Sequence, residues 1–371
     1  MAFWKNKKEK ERQMPDQAPE DAVKTGNDET TTKDESVAQT KRKKIDEQAV
    51  REAAQTLKQY QAGKKNLENR IKEEEEFFRL RIWDHIRSTM TKEERERDTR
   101  PQPTSAWLFN SVINKHADMM DNYPTFACLP REQSDEESAK ILSSVLPVIL
   151  ERRNFEETYS RNSYSKVKFG TGVYGVSWNR DLEDGLGDID ITRLNIMNVY
   201  WEPGVDDIQK SRNVFVLSAY DKDLLEQDYP ELKEKKISDI LKPTEFIHDD
   251  TVLTENKAVV VDWYYKIRGE NGKILLHYCK FVGDKVLFAS ENMEEYQEKG
   301  YYWHGEYPVH MDVMYPVEDA PYGFGTIAVA KDPQIYIDKL DKNILQYSDE
   351  ASRIRFFGKK TMGINKEQFN D

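Results

Sequence analysis

Gly170, Gly172 and Gly175, inside the stretch KFGTGVYGVSW (168–178), spell GxGxxG, the spacing that lets a main chain approach the phosphates of a nucleotide. A dinucleotide site of this kind needs a strand before the first glycine and a helix after the last, so that the helix N-terminus faces the pyrophosphate. Here the order is reversed. The helical stretch NFEETYSRNSYSKVKF leads in, and the alternating VYGVSWN leads out. Asp190 follows Gly170 at the distance of a ribose-binding acid, but it falls in the alternating GDIDI, where an outward carboxylate is expected anyway. A kinase glycine loop would need VAIK, HRD and DFG downstream, and none is present. Ser177 is no hydrolase nucleophile, because Asn179 replaces the closing glycine and no helix follows. The pattern therefore predicts a structural helix-to-strand turn, in which glycine supplies backbone angles other residues avoid.

Other chemistry-bearing residues have bland readings too. His304, Glu306, His310 and Asp312 in HGEYPVHMD have metal-ligand types, but a proline interrupts them and no helical i, i+4 pair exists. Trp263, Tyr264, Tyr265, Tyr301, Tyr302 and Trp303 could stack bases, yet they lack interleaved lysines or arginines and are expected to pack a sheet face. Cys128 and Cys279 stand far apart without CxxC spacing, which indicates neither a disulfide framework nor a zinc cluster. No catalytic constellation emerges, and no cofactor or metal is expected. Two other readings stay open at this point: a nucleotide-dependent enzyme using the 170–175 loop, and a scaffold or binding module of non-viral origin.

The elements that must position these residues follow from periodicity. The chain has 371 residues, a net charge of −12 and 33% charged residues, with a mean hydropathy of −0.85. That is too polar for one compact enzyme, so exposed helix or a disordered arm is expected. Residues 1–44 fit a disordered charged arm with basic clusters KNKKEK and KRKK. No signal peptide is read at the N-terminus, and the longest apolar run, Ile141 to Leu150, is too short to span a bilayer. A soluble protein made in a reducing, intracellular setting is expected.

From Ile45 to about Ser88, Leu67, Ile71, Phe78, Ile82 and Ile86 recur at helical spacing. A second helix is predicted over about 105–121, and a third from a capping box of Ser134 and Glu137 through to Val167, kinked at Pro147. After Gly170 the period changes to two, in GVYGVSWNRD, GDIDITRL, MNVYWEP, RNVFVLSAY, KAVVVDWYYKIR, KILLHYCKFV and KVLFAS. Turn pairs at Asn271-Gly272 and Gly283-Asp284 make these antiparallel, and a helical insertion after Asp221 interrupts them. A last helix is predicted with Asp332 as N-cap and Pro333 at its first position. Its apolar residues Ile337, Leu340, Ile344, Tyr347, Ala351 and Ile354 step by three and four, a heptad seam suited to subunit packing. The fold class is α+β.

The succession of these features resembles the portal proteins of tailed double-stranded DNA bacteriophages, especially the short-tailed type, from about Ser105 to Asp371. DNYPTFACLP, KFGTGVYGVSW, GDIDITRLNIMNVYWEPGVDD, RNVFVLSAYDKDLLEQDYPE, VVVDWYYK and the long stretch from HGEYPVHMD to DKLDKNIL come in the family's order. Glu202 stands where an aspartate is common, and Asp338 and Lys339 fall near a usual asparagine. The resemblance implies a non-enzymatic subunit of a ring, a dodecamer, at one capsid vertex, with DNA passing non-specifically through its channel during packaging and ejection. It implies major capsid and scaffolding proteins, the terminase large subunit and tail adaptors as partners, no membrane, and a place in the virion after assembly in the host bacterial cytoplasm. Residues 45–170 would be the helical part of a wing and 171–316 its β-rich part. Residues 317–355 would be a loop and stem-type helix, and 356–371 the start of a clip. Portals normally continue further, so the chain is expected to be an N-terminal fragment.

Overall fold

The protein is described here by a computed structural model covering residues 44–88, 90–98, 101–232, 257–269 and 272–353. The expected arm, the later part of the helical insertion, Asn271, Ile354, Arg355 and the expected clip lie outside the described residues.

Helix α1 (Glu47–Phe78) starts where the Asp46 carboxylate accepts a hydrogen bond from the Ala49 amide at 3.0 Å. Its buried positions Val50, Ala53, Leu57, Tyr60, Lys64, Leu67, Ile71 and Glu74 alternate steps of three and four, so one narrow face carries the contacts. The helix does not run on to Ser88 as its periodicity suggested. Leu80 takes φ 60, and α2 (Ile82–Ser88) starts in a new direction. The break lets Phe77 and Ile82 bury in one cluster with Leu108, Val112, Val167 and Ile327. A short α3 (Lys92–Arg97) follows, opened by a Thr91–Glu94 capping box that the apolar periodicity does not announce.

Helix α4 (Trp107–Asp121) lies where expected and stops at Asn122. The single helix expected from Ser134 to Val167 is instead two, α5 (Glu136–Arg152) and α6 (Phe155–Phe169). Asn154 separates them in the left-handed region at φ 49, a conformation asparagine tolerates better than most residues. The expected capping box does not form. The Ser134 hydroxyl turns to the Asp135 carboxylate at 3.2 Å, and residues 133–135 make a 3₁₀ turn. Pro147 does lie inside α5.

The strands are β1 (Thr171–Asn179), β2 (Asp188–Leu194), β3 (Val199–Trp201), β4 (Asn213–Asp221), β5 (Lys257–Arg268), β6 (Ile274–Val282), β7 (Lys285–Ala289), β8 (Val309–Val313), β9 (Tyr315–Pro316) and β10 (Gly323–Phe324). Every pairing among them is antiparallel. They form sheets in the orders β2-β1-β8, β3-β4-β5-β6-β7 and β10-β9. Register puts Phe215, Trp263 and Cys279 side by side, and Leu217, Val261 and Phe281 next to them. The first half of α1 covers that face with Val50, Ala53, Leu57 and Tyr60. Its next turns, at Leu67 and Ile71, join a second core with Trp201, Val214, Leu276, Tyr307 and Val309. One long helix thus spans the five-stranded sheet and reaches the helical layer. Helix α7 (Lys222–Asp228) follows Asp221, whose side chain makes no capping bond, and α8 (Glu294–Gln297) is a single turn.

The last helix, α9, runs Thr326–Ser352 and begins six residues before the expected start at Asp332. Asp332 is exposed and caps nothing, and Pro333 lies in the helix interior. The early turn survives the proline because Ile327 and Thr326 are almost completely buried and hold it in place.

Candidate functional site

Gly170 ends α6 at φ +89, and a Cβ there would lie 2.2 Å from the Phe324 carbonyl carbon. The facing segment has the same requirement. A Cβ on Gly325 would lie 2.1 Å from the Lys168 carbonyl oxygen, and one on Gly323 2.2 Å from that of Tyr315. Two glycine-bearing turns therefore cross main chain against main chain. The crossing is bonded as well as close: the Gly323 amide donates to the Thr171 hydroxyl, and the Met314 amide to the Gly170 carbonyl, both at 2.9 Å. Gly172 sits against Asn162, whose side-chain oxygen accepts from the Val173 amide at 2.8 Å. Gly175 is less constrained, facing the Leu194 and Thr192 side chains at 3.1 Å. Residues 323–325 pack directly against the main chain at the first glycine of the pattern. Gly323 and Gly325 went unread in the sequence, although the repeated glycines of YGFGT were their signal.

This crossing fixes the first turn of α9, and the helix that leaves it is reversed in polarity. Its buried face beyond Ile327 carries Gln334, Asp338 and Lys342, at successive steps of four. Gln334 accepts from the Leu108 amide at 3.1 Å and donates to the Ser105 carbonyl at 2.8 Å and to Asp338 at 3.0 Å. Asp338 in turn accepts from the Ser105 amide at 2.9 Å and from its hydroxyl at 2.7 Å. Lys342 lies 3.2 Å from the Asp98 carboxylate and 4.7 Å from the Trp83 ring centre. These bonds satisfy most of the polar groups that burial would otherwise penalise.

The opposite face is apolar and open. Val329, Tyr336, Leu340, Ile344 and Tyr347 are 60%, 67%, 60%, 63% and 75% exposed. At 100° per residue these five cluster on the side away from Gln334, Asp338 and Lys342. Among the expected seam residues, Leu340, Ile344, Tyr347 and Ala351 are exposed, Ile337 is half-buried, and Ile354 lies outside the described residues. Tyr336 adds to the stripe, and Val329 extends it towards the N-terminus into the turn that precedes the expected start.

Lys64, Glu74 and Glu75 are buried on α1. The Lys64 ammonium donates to the carbonyls of Ile196 and Val199 and rests 4.3 Å from the Tyr200 ring centre, and burial pushes its pKa down to about 7. Glu74 is 1% exposed, with the Arg70 guanidinium 3.5 Å away and neither carboxylate oxygen hydrogen-bonded. Burial pushes it up to about 7, against the pull of Arg70 and Lys331. Next to it Glu75 pairs with Lys168, which lies over the Phe78 ring at 4.2 Å. Burial alone would raise Glu75, but Lys168 and Arg79 outweigh it and leave the carboxyl lowered.

The remaining sequence candidates have separate partners. His304 accepts from the Glu306 amide at 3.1 Å and stacks on Tyr302, His310 stands opposite Tyr174 in the β1–β8 register, and Asp312 accepts from Lys166 at 2.6 Å. Trp263 stacks on Tyr265 with centroids 4.3 Å apart and donates to Asn213, Tyr264 stacks on Tyr278, and Tyr301 packs on Tyr302. Trp303 departs from the expected packing and is 89% exposed. Among the described residues no helix is long and apolar enough to cross a membrane.

A comparison with curated proteins found no match. Residues 72–315 match the family model described as phage P22-like portal protein, a span that takes in the end of α1, the glycine turn and both larger sheets. That span covers well over half of the sequence, and the chain belongs to the P22-like family of phage portal proteins.

Proposed function

We propose that the chain is one subunit of a dodecameric ring at a single capsid vertex, forming the channel through which the genome is packaged and ejected. The observation that carries this reading is the reversed polarity of α9. A helix that buries Gln334, Asp338 and Lys342 against its own subunit while exposing Leu340, Ile344 and Tyr347 is built to meet a second protein surface. In a ring each subunit meets its neighbour through unlike surfaces, and a long helix with one apolar stripe suits that geometry.

In this reading residues 45–170 and 171–316 form the wing, 317–355 the loop and stem-type helix, and 356–371 the start of the clip. The glycines at 170, 172 and 175 are a structural device that seats the stem-type helix, and the protein performs no catalysis and carries no cofactor. Major capsid and scaffolding proteins, the terminase large subunit and tail adaptors are its partners, in the virion and during assembly in the host bacterial cytoplasm. Duplex DNA passes through without sequence preference. Electron microscopy of the purified protein tests the ring directly: closed rings support the reading, and a monomer at assembly concentration contradicts it.

A further inference from the structure

Arg193 on β2 and Arg161 on α6 stand between two neighbouring clefts, of about 340 Å³ and about 290 Å³, and line both. The larger cleft also takes in Lys168, His116 and Ser160, and Glu75 is the one carboxylate among its described lining residues. Three cations against one carboxylate is a local reversal on a chain of net charge −12.

The pairing of these charges is uneven. Lys168 is held by Glu75, and Arg161 reaches Glu157 on the rim at 2.5 Å. His116 contacts the Ser160 carbonyl at 3.0 Å. Arg193 donates to the neutral Ser165 hydroxyl at 2.9 Å and makes no ion pair with a described residue. Desolvation and then the nearby Arg161 lower its pKa from the usual arginine range, and Glu75 offsets only part of that, although the residue as a whole is exposed. Arg161 lines the same clefts and is near enough to act on Arg193, and like charges so placed repel unless an anion lies between them. Their forks, with the Lys168 ammonium, offer more donors than the two oxygens of a carboxylate require, and suit a tetrahedral oxyanion.

We propose that this cleft between α6 and β2 binds a phosphate group, clasped by Arg161 and Arg193 with Lys168 adding charge. The site is separate from the apolar stripe of α9 and does not depend on ring formation. A nucleic-acid backbone and free inorganic phosphate offer the same chemistry.

The test is calorimetric titration of the full chain with inorganic phosphate at low ionic strength. Saturable binding is expected, weakened roughly tenfold or more in Arg193→Gln and less in Arg193→Lys, which keeps the charge but loses the fork. Should Arg193→Gln lose its near-UV circular dichroism, Arg161→Gln carries the same expectation. A short DNA duplex that competes with phosphate identifies the backbone as the source. A duplex that does not compete identifies free phosphate. Absence of saturable phosphate binding, or binding equally strong in folded Arg193→Gln and Arg161→Gln, overturns the proposal.

Discussion

Lys342 and Ile344 are two residues apart on α9 and face opposite worlds: Lys342 is buried 3.2 Å from Asp98, whereas Ile344 is 63% exposed. The inversion predicts opposite mutational signatures. Lys342→Met removes a buried cation 3.2 Å from the Asp98 carboxylate, which is 4% exposed, and should destabilise the subunit by about 2 kcal/mol. Ile344→Asp, facing solvent in the subunit, should change its stability by less than about 0.5 kcal/mol. Urea unfolding of the two variants at assembly-preventing concentration measures both.

The glycines should rank by what faces them. Gly170→Ala forces a left-handed φ on a residue with a Cβ and drives it into the Phe324 main chain, so a loss of more than about 2 kcal/mol is expected. Gly175→Ala meets only side-chain atoms at 3.1 Å and should cost less. Since residues 323–325 pack against Gly170 and a strand rather than a helix follows the glycines, ATP should bind no more tightly than inorganic triphosphate. An adenine-dependent gain in affinity would restore the enzyme reading.

Glu74 gives stability a pH dependence. Its carboxyl keeps a proton in the folded state up to about 7, whereas the unfolded chain loses it near 4.5. The folded state binds more protons in that window, so this residue makes stability fall as pH rises from 4.5 to about 7. Lys64 acts in the next window with the opposite sign, since its proton leaves the folded state at about 7 and the unfolded chain at 10.5. Glu74→Gln should raise stability at pH 8 by up to about 3 kcal/mol and flatten the acidic limb. An unchanged pH profile in that variant would show that Glu74 is ionised and solvated throughout.

Duplex DNA should bind weakly and without sequence preference. The net charge of −12 on each chain opposes phosphate, and repetition around a ring multiplies the field. On α9, Lys331 and Lys342 are also engaged by Glu73 and Asp98, which leaves Lys339 and the C-cap residue Arg353 as the exposed cations of that helix. Binding against salt concentration, with and without residues 1–44, checks this. Nanomolar affinity near physiological salt would identify a dedicated DNA-binding protein.

Strands were legible because their alternation is local: β2, β3, β5, β6 and β7 lie within the stretches read as period two, and β1 and β4 overrun theirs by one residue. Helix ends were less so. The breaks at Leu80 and Asn154 answer to tertiary packing, and apolar spacing continues across both. Pro333 misled because proline at a first helical turn is the commoner arrangement, and the burial of Ile327 that overrides it involves residues far away in sequence. Leu340, Ile344, Tyr347 and Ala351 were legible as one helix face, and all four are exposed, yet periodicity does not say which side of a helix faces its own subunit. That side was settled by Ser105 and Asp98, partners more than two hundred residues away.

Assembly of Ile344→Asp, followed by sedimentation velocity beside the parent protein, tests the central claim most directly. A carboxylate buried without a partner at the subunit seam costs several kcal/mol, on the order of 4. The account predicts that the parent sediments as a ring and the variant as a folded monomer with unaltered circular dichroism. A variant that assembles as the parent does would contradict it and remove the stripe of α9 from the subunit interface.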